Sequence, residues 1–228
     1  MPMIDSARMR DLLRVYFIAG SMNCLKDPEV VLEEAIAGGI TLFQFREKGT
    51  GSLEGEEKKI LAGKLHQICK AHNIPFIVND DVELAIELDA DGVHVGQEDA
   101  EAGGVRKRIG DKILGVSVHS EKEARLALEA GADYVGIGPV FTTKTKEDAK
   151  PERGTGLIEQ LRATGYEVPI VGIGGITVGN AASVIKAGAD GVSVISAISL
   201  AENPIQAAQE LANQVEQGGL ALCEKHRN

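Results

Sequence analysis

Short runs rich in Val, Ile, Tyr and Phe recur eight times along the 228 residues, at 14–20, 40–46, 75–80, 91–96, 113–118, 133–140, 169–175 and 190–196. Each is too short for a helix and suits a buried strand. Between them lie stretches of good helix formers with apolar residues at helical spacing. One, "DPEVVLEEAIAGG", begins with Asp27 as a helix N-cap and Pro28 in the first helical position, and ends in glycines. Another, "SEKEARLALEAGAD", begins with Ser120 and carries Glu123 three residues on, the pattern of a capping box. The joints "ELDADGVHVG", "EAGADYVGIG" and "KAGADGVSVIS" repeat one order: helix end, turn with Asp, strand. They form a weak internal repeat of a βα unit.

Eight such units predict a single (β/α)8 TIM barrel. A doubly wound open sheet is the alternative, and the evenness of the units favours closure. Residues up to about 13 read as a short N-terminal extension, and those from about 216 to 228 as a loose tail. The net charge of −10 disfavours nucleic acid and anionic membrane as partners, while a small anion remains compatible if cations gather locally. No run approaches the length of a membrane span. The three cysteines, Cys24, Cys69 and Cys223, fit no zinc spacing and read as reduced thiols of a cytoplasmic protein.

In a barrel of this type, catalytic groups sit at the C-terminal ends of strands, and strand residues alternate between the interior and the helix layer. "FIVNDD" therefore brings Asn79 and Asp80 to the rim, and "VGQED" brings Asp99 there on the next strand. Two neighbouring carboxylates suit a hard divalent cation such as Mg²⁺, although Asp80 as a turn residue is a competing reading. Asp81 is placed as an N-cap. In "LFQFREK", Gln44, Arg46 and Lys48 share the inward parity, and Phe43 and Phe45 face the helices. Buried cations need an anion, either a ligand phosphate or local carboxylates.

Gly136 and Gly138 share a parity, as do Gly172 and Gly174. Glycine inside a strand marks close approach of a ligand or another backbone. The loops after strands seven and eight, with Gly174, Gly175, Ile195 and Ser196, occupy the usual phosphate position of such barrels. The long polar segment "FTTKTKEDAKPERGTG" offers Thr143, Thr145 and Lys146 to an anion, or is a solvated loop. His94 is either a hydrogen-bonded core histidine or a catalyst. Ser117 lacks triad partners in order and reads as a hydrogen-bonding group.

"QFREK", "VNDD", "GVHVGQED", "GVSVHS", "GPVFTTKTKEDA", "VGIGGI" and "GVSVIS", in that order over residues 14–215, resemble the motif series of the thiamin phosphate synthase family. The resemblance implies a transferase. A pyrimidine diphosphate loses pyrophosphate with help from Mg²⁺ and joins a thiazole phosphate, giving thiamin monophosphate. It further implies that Gln44, Arg46, Lys48 and Asn79 contact the pyrimidine diphosphate, and that Asp80 and Asp99 hold the Mg²⁺. Ser117 and Lys146 also bind the diphosphate. Thr143 and Thr145 lie beside the thiazole phosphate, which Gly175, Ile195 and Ser196 cradle. Arg46, Lys48, Ser117 and Lys146 are then the groups that act on the reacting diphosphate. The family pattern usually has Pro where this chain has Thr142. A dissociative loss of pyrophosphate requires no protein nucleophile, and none is found. The alternatives are a related thiazole tautomerase or a non-catalytic barrel that binds a phosphate ligand. A homo-oligomer is compatible with the sequence and not required by it.

Overall fold

A computed structural model describes residues 4–143 and 152–225. The chain opens with α1 (Ser6–Leu13) and then alternates β1 (Val15–Ala19), α2 (Pro28–Ala37), β2 (Leu42–Phe45), α3 (Gly55–Ala71), β3 (Phe76–Asn79), α4 (Val82–Glu87), β4 (Gly92–Val95) and α5 (Ala102–Ile109). It continues with β5 (Ile113–Val118), α6 (Glu121–Glu129), β6 (Tyr134–Ile137), α7 (Gly156–Ala163), β7 (Ile170–Ile173), α8 (Ala181–Lys186), β8 (Gly191–Val194), α9 (Ser196–Ser199) and α10 (Pro204–Lys225). All strands are parallel and the order β1 to β8 closes on itself, so the (β/α)8 barrel holds and the open sheet does not.

Register converts the alternation of residue types into two separate cores. Phe43 pairs with Phe76 and lies beside Phe17 and Phe45 in the outer core between strands and helices. Their rings meet at 5.6 Å for Phe17–Phe43 and 5.8 Å for Phe43–Phe76. The inner core contains Tyr16, Leu42, Ile77, Ile113, Tyr134 and Val171, closed from below by Met9, Leu12 and Leu13 of α1. The N-terminal extension is thus the floor of the barrel. At the other end of the chain α10 runs unbroken to Lys225, so the segment that reads as a loose tail from about 216 is helix. It packs on α8 and α2. Among the described residues no helix is long and apolar enough to cross a membrane.

The helix signals hold, with one exchange of partner. Asp27 caps α2 through the Glu29 amide, and Asp81 caps α4 through the Leu84 amide. Ser120 accepts from the Glu123 amide, but Glu123 reaches back to the amide of His119 instead of that of Ser120.

The repeated joint has a mechanical meaning. Asp91, Asp133 and Asp190 each accept, at 2.8 Å, an amide from the start of the preceding strand: Phe76 and Ile170 are first residues and Leu114 is the second. Each Asp also returns its own amide to that residue's carbonyl, so one residue staples two strands at their N-terminal ends. At two joints an arginine from an earlier helix completes the staple. Arg106 bonds Asp133 at 2.6 Å and the Gly131 carbonyl, and Arg162 bonds Asp190 at 2.7 Å and the Gly188 carbonyl. Gly131 and Gly188 have φ of +86° and +107°, which strains any other residue, and a side chain on Gly188 would also press on Arg162. Asp89 takes the equivalent left-handed position at the third joint, with φ of +52°.

Asp133 is 2 % exposed, so its loss leaves the Arg106 guanidinium and the Leu114 amide without their partner in a dry region. Asp133→Ala is expected to destabilise the fold by about 3–5 kcal/mol in urea unfolding. A loss below about 1 kcal/mol would show that the staple carries little of the barrel's closure.

Candidate active site

The C-terminal ends of the strands surround a cavity of about 200 Å³. Its floor is a hydrogen-bonded chain of amide, phenol, imidazole and hydroxyl groups. Tyr16 and Tyr134 enter from opposite walls and their hydroxyls meet at 2.8 Å, with both side chains buried. Gln44 donates from Nε2 to the Tyr16 hydroxyl at 2.6 Å. The Tyr134 hydroxyl lies 2.9 Å from His94 Nδ1, and His94 Nε2 lies 2.8 Å from Ser117 Oγ. Burial pushes the Tyr134 phenol well above its usual range and raises that of Tyr16 too, so both stay protonated and can donate. Two glycines create the room. A Cβ on Gly115 would collide with the Tyr134 ring and His94, and one on Gly136 would come within 3.3 Å of the His94 ring.

Charge appears only higher up, at the mouth. Arg46, 7 % exposed, and Lys48 follow Gln44 out of β2 and line the cavity. Lys48 is not buried. Its ammonium bonds Asp80 at 2.8 Å and stands 3.5 Å from Asp99. Asp99 also accepts the Gly96 amide at 2.8 Å. Burial raises the Asp80 carboxyl above the ordinary range; Lys48 opposes this and neighbouring Asp99 adds to it. Burial also pushes Asp99 upward, but its bonds to Asp80, the Gly96 amide and Lys48 prevail and hold it low. Asp80 sits at φ +62°, a left-handed conformation that aspartate tolerates, and its amide bonds the His94 carbonyl at 2.9 Å. Asn79 lines the same cavity one residue earlier.

Glu47, on the opposite parity, points away from the cavity. It accepts the Ser21 amide at 2.8 Å, the Ser21 hydroxyl at 2.5 Å and the Leu53 amide at 2.8 Å. It thereby ties the loops after β1 and β2 together, on either side of the segment that presents Arg46 and Lys48.

The third wall is glycine and backbone. Gly174 and Gly175 have φ of +95° and +63°, and a Cβ on Gly175 would strike the backbone at Phe141 and Thr142. Gly175, Ile195 and Ser196 line the cavity together with Thr143. Thr142 donates both its amide (3.1 Å) and its hydroxyl (2.5 Å) to Glu152, and a proline could supply neither bond. Thr145 and Lys146 lie outside the described residues.

Gln44, Arg46, Lys48, Asn79, Asp80, Asp99, Ser117, Thr143, Gly175, Ile195 and Ser196 therefore share one cavity. The structure corrects one reading of the glycines: Gly172 faces α8, where a Cβ would press on Val184, and does not line the cavity. It also adds groups the motifs passed over. Tyr16 and Ser193 line the cavity, and Tyr134 joins the floor through its bonds to Tyr16 and His94. Ser193 Oγ is buried with no hydrogen-bond partner among the described residues. Inward parity is the signal that could have found these groups. Ser193 is in register with Tyr16, which itself lies two residues before Ile18, the partner of Gln44.

The family model described as "Thiamine monophosphate synthase" matches residues 15–198. Thiamine-phosphate synthase of Bacillus cereus is 58% identical over 219 residues, covering 96% of this chain and 98% of that protein. The enzyme of the same name from Geobacillus thermodenitrificans is 57% identical over 220 residues, covering 96% and 100%. Among solved structures, a thiamine phosphate pyrophosphorylase from Pyrococcus furiosus superposes with a TM-score of 0.82 at 34% identity, covering 92% of this chain and 99% of that one. With a matching model over most of its length and relatives this similar end to end, the chain belongs to the thiamine monophosphate synthase family of transferases.

Proposed function

We propose that this barrel condenses 4-amino-2-methyl-5-(diphosphooxymethyl)pyrimidine with 4-methyl-5-(2-phosphoethyl)thiazole, giving thiamin monophosphate and pyrophosphate. The observation that carries this reading is the layering of one cavity: neutral hydrogen-bonding groups at the floor, and Arg46, Lys48, Asp80 and Asp99 at the mouth. A substrate with an uncharged heteroaromatic ring and a diphosphate fits that gradient in one orientation, ring down and phosphates up.

The methylene carbon–oxygen bond breaks and its electron pair leaves on pyrophosphate. The thiazole nitrogen then gives its lone pair to the methylene carbon. Arg46 and Lys48 hold the departing diphosphate by charge and Ser117 by a hydrogen bond, and Lys146 is assigned to the same diphosphate. Gln44 and Asn79 fix the pyrimidine half, which keeps the methylene carbon facing the incoming thiazole. Thr143, Gly175, Ile195 and Ser196 hold the thiazole phosphate at the far wall, and Thr145 is assigned to the same phosphate. No side chain forms a covalent bond in this scheme.

Asp80 and Asp99 form a fitting pair of ligands for Mg²⁺. They are hard oxygen donors, close enough to be linked through one ammonium, and Asp80 is destabilised as an anion by its burial. Among the described residues no third His, Cys, Asp or Glu joins them, which matches a cation that takes most of its ligands from water and substrate phosphate. Bound there, the metal would supply charge neutralisation to the leaving diphosphate. Cys24 and Cys69 are free thiols, in keeping with a cytoplasmic enzyme.

The direct test mixes the purified protein with both phosphorylated halves and Mg²⁺ and looks for thiamin monophosphate. Formation dependent on all three is expected, and its absence would defeat the reading. The metal pair is tested by melting. Burial raises the Asp80 pKa, so its ionised form opposes folding once pH rises through that pKa. Asp80→Asn, which keeps a residue suited to positive φ, is expected to raise the melting temperature of the metal-free protein at neutral pH. It should also abolish the further rise that Mg²⁺ gives the parent, and an equal Mg²⁺ response in both proteins would remove Asp80 from the metal. Ser193→Ala deletes a buried, unsatisfied hydroxyl. The expected result is stability unchanged or raised by about 1 kcal/mol, together with weaker binding of the pyrimidine diphosphate. Unchanged binding would show that the hydroxyl meets no substrate atom.

A further inference from the structure

The polar chain at the floor begins and ends on residues that line the cavity, Gln44 and Ser117, and the two phenols between them are buried. That makes the direction of its protons countable. Each phenol has one proton, and a neutral imidazole has one N–H shared between two nitrogens. Gln44 donates from Nε2 to the Tyr16 hydroxyl, so the Tyr16 proton points to Tyr134. The Tyr134 proton then goes to His94 Nδ1, which must accept. The His94 proton therefore sits on Nε2 and is donated to Ser117 Oγ, which leaves the Ser117 proton for the cavity.

The other arrangements fail or need a different start. Suppose His94 were an imidazolium. It would donate at both nitrogens, Tyr134 would donate to Tyr16, and the Tyr16 proton would have no acceptor. Tyr16 is 1 % exposed, and an unmet buried donor costs about 1–3 kcal/mol. A full reversal, ending with Ser117 donating to His94, is satisfied only if the Gln44 amide turns its oxygen toward Tyr16. The amide of Gln44 thus decides what Ser117 can do about 70 residues away in sequence.

We infer that Gln44 sets the polarity of the whole chain, and that His94 is a positioning residue held as the neutral Nε2–H tautomer so that Ser117 offers its proton to an anionic oxygen in the cavity. Only the identity of that anion, the leaving diphosphate, rests on the function proposed above. The arrangement links the two ends of the substrate. A ring N–H that bonds the Gln44 amide oxygen holds the amide in the orientation that makes Ser117 a donor. A ring offering only an acceptor competes for the amide nitrogen and pulls the chain the other way.

The test is nitrogen NMR of the ¹⁵N-histidine-labelled protein, with the His94 signals assigned by their loss in His94→Gln. The parent protein is expected to show a protonated Nε2 and an unprotonated Nδ1 at His94. Gln44→Glu, whose carboxylate can only accept, is expected to move the proton to Nδ1. Tyr134→Phe keeps the ring and cuts the chain, and should remove the preference between tautomers. In turnover, Tyr134→Phe is expected to lower kcat about tenfold with the KM of the thiazole phosphate unchanged, and to cost nothing further in a Ser117→Ala background. An Nδ1–H tautomer in the parent, or fully additive losses in the double variant, would overturn the inference. If the parent makes no thiamin monophosphate, the proposed function falls, while the tautomer measurement still decides the polarity of the chain.

Discussion

Closing eight parallel strands into a ring gives every strand an inward face, and the inner space admits side chains and little else. The rest of the molecule depends on how that face is used. In its lower half it is apolar, with Leu42, Ile77, Ile113 and Val171 over the α1 plug. In its upper half the strands present Gln44, His94, Ser117 and Ser193. A one-residue slip in any strand would exchange these with Phe43, Phe45 or Val116 and destroy both cores at once. The Asp91, Asp133 and Asp190 staples act against such a slip, because each fixes one residue of a strand to one residue of its neighbour. They sit at the end opposite the cavity, so register is secured where no ligand competes for the same groups.

The mouth shows the reverse choice. Asp80 and Asp99 are held close enough to disturb one another, with Lys48 between them as a local counter-ion. A chain selected only for stability would have spread these charges or made them apolar. Glu47 makes three bonds outside the cavity and braces the loops beside Arg46 and Lys48. Left-handed backbone at Asp80 and Gly175 belongs to the same arrangement, since both turn the chain sharply at the rim.

Much of this was legible in sequence because it is local. Strand positions, the Asp27, Asp81 and Ser120 caps and the parity of Gln44–Arg46–Lys48 each depend on residues within a few positions of one another. The repeated Asp in the joints was legible as a pattern, but not as a staple, since its partners lie 15 to 20 residues away. The floor of the cavity was not legible. Tyr16 and Tyr134 are 118 residues apart, and whether two inward residues on different strands share a level depends on the stagger of the closed sheet. The glycines misled for a related reason. Parity distinguishes inside from outside only once the strand ends are fixed, and Gly172 lies on the helix side. The segment from about 216 reads as loose because chain ends usually are, and its "EQGG" carries two glycines. Of these, Gly218 lies so close to Ile185 of α8 that a side chain would not fit, so tertiary packing outweighs helix propensity there.

Depth and charge are sorted against each other throughout the cavity, and dielectric cost explains why. An ion at the level of Tyr16 would lose its hydration with no partner able to replace it, whereas a phenol or an amide there is satisfied by one or two bonds. The deep end can therefore recognise only neutral polar atoms, and it does so with groups that exchange hydrogen bonds among themselves. At the rim, solvent and a ligand's own phosphates share the cost of charge, so Lys48, Asp80 and Asp99 can stand close together. A substrate that carries its charge at one end is thus oriented before any specific contact is counted. In the reaction proposed for this site, the bond to be broken would lie at the boundary between the two zones, and the departing negative charge would move toward the cations and away from the region least able to hold it.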